Sequence, residues 1–522
     1  MSKYKQTFIQ GAMILLVAGM INRILGFVPR IALPRVIGAE GVGLYQMGYP
    51  FLILLVTFIT GGIPLAIAKL VAESESAGDE ARVRKILRIS LGLTVSIGTI
   101  LTIGCFLLAP WLTRILFTDD RIYTTFLIIG PILLVISVSA VYRGYFQGRQ
   151  NMIPPATSSV VETLARIVGM LGLSYWLLPY GIEYAAAGAM AGVLVGEICG
   201  CLVLLLHYWG SKKNDRLRNN AVIGNVAPSN KSLSPLKRVL RVSIPVTAAR
   251  LVGSASYFLE SIFIIHSLSV AGIATSQATA QYGALQGMII PILLLPSALT
   301  YSLSTSLVPS LSEAAAKKDM VTIQKRLHLS IKLAILTGAP FAVLMYMLAQ
   351  PICLYLYKDP NIGVMLKMMA PFAIFIYIQA PLTAALQALD RPGAALVNTA
   401  IGSVIKLALI VGMATQPKFA ILGAIFAINL NIMIVTLLHW RSVAGFLKFR
   451  LSGDEWGKII LAMFLMGASV WIISDGEGGE RALFRFFGAI IIGMVVYGIA
   501  LIWLKLVDRE DLNRLAGFWK RM

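Results

Sequence analysis

Charge is scarce in this chain. Asp, Glu, Lys and Arg make up 13% of its 522 residues, against 57% hydrophobic. A soluble domain of this length needs far more charge on its surface, and a mean hydropathy of +0.80 excludes one. Acids are scarcer still: 24 Asp and Glu stand against 45 Lys and Arg, for a net charge of +21. That excess does not point to nucleic acid, because the basic residues concentrate in alternate loops, as the positive-inside rule expects. The four cysteines (Cys105, Cys199, Cys201, Cys353) lie within apolar runs and read as core filler, with no metal or redox spacing. The four histidines (His207, His266, His328, His439) are scattered near span ends and argue against a metal site. No glycine loop ending in Lys-Ser or Lys-Thr is present, which argues against an ATP motor in this chain. No cofactor, metal or catalytic group is expected.

What the chain has in quantity is apolar runs long enough to cross a bilayer. They predict an all-α polytopic membrane protein with about fourteen spans. The spans fall roughly at 8–33, 43–69, 87–110, 122–145, 153–178, 183–208, 239–266, 281–308, 327–350, 362–387, 394–414, 420–440, 456–474 and 484–506. Lys3 and Lys5 resemble a signal n-region, but the apolar stretch after them is too long for a signal peptide and reads as a first span. The distribution of Lys and Arg over the loops places both termini in the cytoplasm. The polar stretch 210–238 reads as a flexible cytoplasmic linker. It separates a six-span lobe at 1–209 from a second at 239–441, with two extra spans and a tail at 442–522.

The two lobes read as a duplication. Glu73 and Glu313, Asp79 and Asp319, Ser90 and Ser330, Pro131 and Pro371, and Gln147 and Gln387 each differ by 240 positions (313 − 73 = 240, and likewise for the rest). Six spans per copy make the repeat parallel, with the substrate site expected where the lobes meet. In the sixth span Gly188, Gly192, Gly196 and Gly200 form a ridge that permits close helix approach.

The first span carries cations. Gly19, Arg23, Gly26 and Arg30 fall at i, i+4, i+7 and i+11, one face of a helix. A cation at mid-membrane costs about 2.5–3.5 kcal/mol on insertion scales, so it belongs in a bundle interior or a wet cavity. Pro29 and Pro34 are expected to bend or interrupt the helix beyond it. Other charges within spans are Glu162 and Arg166, spaced i, i+4 in the fifth span, Glu197 in the sixth, Arg250 and Glu260 in the seventh, and Lys406 in the eleventh. Each stands either as a cavity group or as half of a structural pair. Arg23, Arg30, Arg166, Arg250 and Lys406 against Glu162, Glu197 and Glu260 leave the interior mildly cationic. That suits an anionic, phosphate-bearing substrate, while the acids are candidates for coupling or for structure. Asp119-Asp120 fits the acidic pair of a polytopic glycosyltransferase, but its loop is short and the pair reads as solvated loop charge.

The strings RILGFVPRIALPRVIGAEGVGLYQMGYP, GIPLAIAKLVAES, YRGYFQGRQNMIPPA, LPYGIEYAAAGAMAG, QYGALQG and PSALTYSLSTSLVPSLSEA are similar to the polysaccharide-transport branch of the multidrug/oligosaccharidyl-lipid/polysaccharide (MOP) exporter superfamily, over nearly the whole length. The resemblance implies two six-helix lobes in a V around a central cavity plus two extra helices. It also implies flipping of a lipid-linked cell-wall precursor across the bacterial cytoplasmic membrane, with lipid II for spore cortex peptidoglycan as the expected cargo. Another lipid-linked polysaccharide intermediate is the next reading, ahead of a cation-coupled drug antiporter, the glycosyltransferase, or a scaffold for cell-wall synthases. Partners implied are the lipid-linked saccharide, membrane lipids and such synthases. Arg23 in NRILGF matches the first-helix cavity arginine of lipid II flippases in this superfamily. The next arginine of that pattern falls on Pro29, with Arg30 one position on, and the paired arginines of the second helix have no match in PFLILLVTFI.

Overall fold

The computed structural model describes residues 8–219, 235–447, 453–474 and 482–506. Every regular element among them is helical. The first nine helices are α1 (Phe8–Leu25), α2 (Phe27–Thr60), α3 (Ile63–Ser76), α4 (Glu80–Leu116), α5 (Tyr123–Gly148), α6 (Ile153–Leu177), α7 (Ile182–Asn219), α8 (Pro235–Val270) and α9 (Thr275–Gly283). A π-helical turn, Ala284–Ile289, follows. Then come α10 (Ile290–Leu294), α11 (Ser297–Ala316), α12 (Met320–Met347), α13 (Ala349–Tyr357), α14 (Gly363–Met369), α15 (Ala373–Ala388), α16 (Pro392–Ala414), α17 (Ala420–Leu447), α18 (Gly453–Ser474) and α19 (Ala482–Trp503). The linker at 210–238 lies largely outside the described residues.

Twelve stretches among the described residues are long and apolar enough to cross a membrane, against the count of about fourteen that hydropathy predicts. Two departures account for the difference. The run Met13–Ser76 passes through two expected spans without a polar loop, and the expected span at 281–308 is broken into α9, the π turn, α10 and α11. The first breaks are made by glycine, where proline is expected. α1 ends at Gly26, and α2 is kinked at Gly38, whose φ of 68° is left-handed. Pro29 is tolerated because it stands in the first turn of α2, where its missing N–H would have no helical partner anyway. Proline also opens α6, α8 and α16.

Contacts divide the chain into two compact units, 1–288 with 414–421, and 289–413 with 422–522. In the first, α3, α4, α5, α7 and α8 share a core of Ile67, Leu70, Val83, Ile86, Val141, Phe146, Leu204 and Val239. The ion pairs Arg149–Glu80 (2.5 Å) and Arg238–Glu73 (2.5 Å) fasten the ends of those helices. In the second, α11, α12, α15, α17 and α18 surround Leu327, Ile331, Leu382 and Val443. α18 and α19 pack on α12, where the Tyr497 hydroxyl donates to the Leu336 carbonyl (3.0 Å). Large apolar side chains also cover the outside: Ile24, Val168, Phe464 and Phe484 are 71, 73, 70 and 80% exposed. Such a surface is stable only against hydrocarbon, so the chain is a multi-pass membrane protein.

The repeat recurs in local geometry. Asp79 caps α4 through the Arg82 amide (2.8 Å), and Asp319 caps α12 through the Thr322 amide (3.0 Å). Asp119 accepts from the Arg121 amide (3.2 Å), as Asp359 does from the Asn361 amide (3.0 Å). Gln150 and Asp390 hold φ of 57° and 56°. Each pair is 240 residues apart (319 − 79, 359 − 119 and 390 − 150).

Candidate functional site

A cavity of about 330 Å³ lies within the first unit, walled by α1, α2, α6 and the π turn. From α1 and the start of α2 come Asn22, Gly26, Pro29, Arg30 and Leu33. Val42, Tyr45, Gln46 and Tyr49 come from farther along α2, and Thr163, Arg166, Ile167 and Met170 from α6. The last two sets are each spaced i, i+3, i+4, i+7, a single helix face. Gly287 completes the wall. A Cβ there would fall 2.2 Å from Val42 Cγ1, so the bare glycine is what lets the Val42 side chain of α2 pack against the π turn. Two cations, two amides and two phenols thus face one space, and among the described residues no acidic side chain lines it.

Arg30 is exposed toward the cavity and its guanidinium carbon lies 5.7 Å from the Phe27 ring centroid. Arg166 is held differently. Its guanidinium bonds Glu162 one turn back on α6 and reaches Glu197 of α7 at 3.4 Å, while Arg143 of α5 bonds the other oxygen of Glu162. The four charges form one buried cluster where α5, α6 and α7 meet. The glycine ridge of α7 makes that meeting possible. A Cβ on Gly196 would lie 2.7 Å from Arg166 Cβ and 2.8 Å from the Glu162 carbonyl oxygen, and one on Gly192 would lie 2.2 Å from the Met170 nitrogen.

The remaining expected residues are placed apart from this cavity's lining. Arg23 stands on α1, half-buried, next to Asn22. The lining residues Asn22, Gly26, Pro29 and Leu33 keep the expected spacing but start three residues later than the expected face Gly19, Arg23, Gly26 and Arg30, of which Gly26 and Arg30 also line the cavity. Arg250 is exposed on α8. Glu260, farther along α8, is buried and accepts from Gln286 Nε2 at 2.7 Å. Lys406 is buried on α16 in the second unit. Sequence reasoning missed Asn22, Gln46, Tyr49 and Arg143. Gln46 and Tyr49 were visible as polar residues i, i+3 within LYQMGYP, whereas Arg143, near the end of the span expected at 122–145, carries no acid at helical spacing to mark it.

Asp119 corrects an expectation. It is 3% exposed, not a solvated loop charge. It accepts from Thr279 Oγ1 of α9 (2.8 Å) and from Arg121 Nη2 (2.8 Å), whose Nη1 reaches Glu40 of α2 (2.7 Å). Burial pushes its carboxyl upward, but the bonds from Arg121 and Thr279 and the charge of Arg121 outweigh that and hold it below the usual carboxylate range. No cluster of His, Cys, Asp and Glu among the described residues could hold a metal ion.

Residues 8–315 match the family model described as polysaccharide biosynthesis protein, and residues 254–411 match the MatE model. The chain is 38% identical to stage V sporulation protein B of Bacillus subtilis, over 98% of both chains. It is 26% identical to the lipid II flippase MurJ of the same organism, again over 98% of both. A solved structure of lipid II flippase MurJ in an inward closed conformation superposes with a TM-score of 0.70 at 18% identity, covering 94% of this chain and 99% of that one. The chain therefore belongs to the polysaccharide biosynthesis protein family, within the MOP superfamily.

Proposed function

We propose that the protein is a flippase that moves a polyprenyl-pyrophosphate-linked cell-wall saccharide across the bacterial cytoplasmic membrane by alternating access. The cargo is lipid II, supplied for spore cortex peptidoglycan. The observation that carries this reading is the cavity itself, a space inside membrane helices whose wall holds Arg30 and Arg166 and, among the described residues, no acid. A pyrophosphate is an anion whose geometry planar guanidinium groups match with paired hydrogen bonds, and a carrier of cationic drugs would need acids in their place. Asn22 and Gln46 each keep an amide oxygen without a partner, which suits the hydroxyl and amide donors of a sugar headgroup. The relatedness to stage V sporulation protein B and to MurJ supports the same cargo class.

In this reading Arg23, Arg250 and Lys406 meet the headgroup at other stages of the cycle. The lobes 1–209 and 239–441 rock about the linker, both termini stay in the cytoplasm, and cell-wall synthases take up the product. The test is cargo choice by the purified protein in proteoliposomes. Translocation of lipid II in preference to other polyprenyl-pyrophosphate glycans is expected. Transport of a different glycan alone would reassign the cargo, and export of cationic drugs with no lipid moved would overturn the reading.

A further inference from the structure

Arg166 reaches the cavity wall only as one member of the cluster Arg143–Glu162–Arg166–Glu197. Glu162 is shared, one oxygen for each arginine, and Glu197 adds a second carboxylate to Arg166. With every member ionised the cluster carries two positive and two negative charges, a net of zero. Its carboxylate side chains are 10% exposed, so water screens it weakly. Each arginine also keeps a buried Nε–H with no partner. Among the described residues no acid is bonded to Arg30, whereas Arg166 has its field cancelled from behind.

We infer that Arg143, Glu162 and Glu197 are positioning residues that set the strength with which Arg166 holds a diphosphate in the cavity, and that Glu197 and Arg143 act with opposite sign. This inference rests on the proposed function and adds the tuning of its site. Glu162 fixes where the guanidinium points. Glu197 subtracts positive potential from it, and Arg143 restores potential by sharing Glu162. A carrier needs such a balance, because a site that binds too tightly does not release. A neutral cluster next to Arg30 supplies moderate affinity without removing the arginine geometry that recognises phosphate.

The sign separates tuning from mere structural support. Glu197→Gln keeps a hydrogen-bonding side chain of the same shape and leaves the cluster at +1. Arg143→Gln leaves it at −1. The probes are inorganic pyrophosphate alone and the lipid-linked saccharide, each titrated into the purified full chain in nanodiscs. Melting temperature is recorded for every variant. Glu197→Gln is expected to tighten binding of both probes and Arg143→Gln to weaken it, by about tenfold each way, the size expected of one charge in a partly buried cluster. Arg143→Lys is expected to restore wild-type affinity. Glu197→Gln is further expected to slow turnover while lowering the half-saturating substrate concentration. Shifts of the same sign in both variants, or none in either, with the wild type still binding, would overturn this inference and leave the proposed function standing. Failure of the wild type to bind either probe would overturn both.

Discussion

Gly43 and Gly283 are packed into each other's helices. A Cβ on Gly43 would lie 2.1 Å from the Thr279 carbonyl oxygen, and one on Gly283 would lie 2.0 Å from that of Ala39. The two glycines are 240 residues apart (283 − 43), as are Thr279 and Ala39 (279 − 39). α2 and α9 thus cross as equivalent pieces of the repeat, each glycine admitting the other helix's backbone. Beside this crossing Asp119 bonds Thr279, and Arg121 bonds Glu40.

The crossing makes a packing prediction. Gly283→Ala drives a methyl group into backbone that cannot turn aside, and overpacking of this kind costs about 1–3 kcal/mol. The melting temperature in detergent should fall by several degrees. Gly253→Ala inside α8, where a Cβ meets nothing within 4 Å, should leave it unchanged or raise it slightly, because alanine is the better helix former.

The Asp119 junction makes a pH prediction. Its carboxyl is held below the ordinary range in the folded protein, so its contribution is complete above the unfolded value of about 4 and is lost as pH falls through the folded one. Asp119→Asn should destabilise by about 1–3 kcal/mol at pH 7. The gap between wild type and variant should close as the pH is lowered below about 4. A gap that stays constant with pH would show that the charge contributes nothing.

Removing the shared acid of the buried cluster should be severe. Glu162→Ala strands Arg143 and leaves Arg166 only its 3.4 Å contact with Glu197, a loss of about 3–5 kcal/mol for broken buried pairs. Gly196→Val should approach it, because its side chain would displace Arg166 and the Glu162 backbone together. Thermal unfolding followed by size-exclusion chromatography reads both.

Topology is testable at exposed loop positions. In a background with the four native cysteines replaced, a cysteine at Asp120 should react with an impermeant maleimide from outside intact cells. One at Ser76 should react only after permeabilisation. The reverse pattern would invert the proposed orientation.

Much of this architecture was legible from local pattern. Apolar length marked the helices, the 240-residue offset marked the repeat, and i, i+4 spacing paired Glu162 with Arg166, because each depends on residues close in sequence or on a simple period. The misses lie where tertiary packing decides. Pro29 and Pro34 drew attention as helix breakers, yet the chain turns at Gly26 and Gly38: Pro29 stands in the first turn of α2, where its missing N–H costs nothing, and Pro34 lies inside α2 four residues before the Gly38 kink. Asn22, not Arg23, lines the cavity. Arg143 has no acid at helical spacing, and only the approach of α5 to α6 shows its partner. Asp119 looked solvated because its partner Thr279 lies 160 residues away. The α7 glycine ridge was legible as packing, and the structure adds that what it packs against is the charge cluster.

The most direct test of the account is translocation of the lipid II headgroup in proteoliposomes by the wild type beside Arg30→Ala, with correct insertion of both verified. Arg30 lines the cavity and is exposed toward it, so its loss removes a phosphate ligand without breaking a buried pair. The account predicts rapid movement by the wild type and at least a tenfold slower rate in the variant, the cost of about 1.4 kcal/mol or more of lost headgroup interaction. Equal rates in the two proteins would contradict the claim that the cavity cations hold the headgroup.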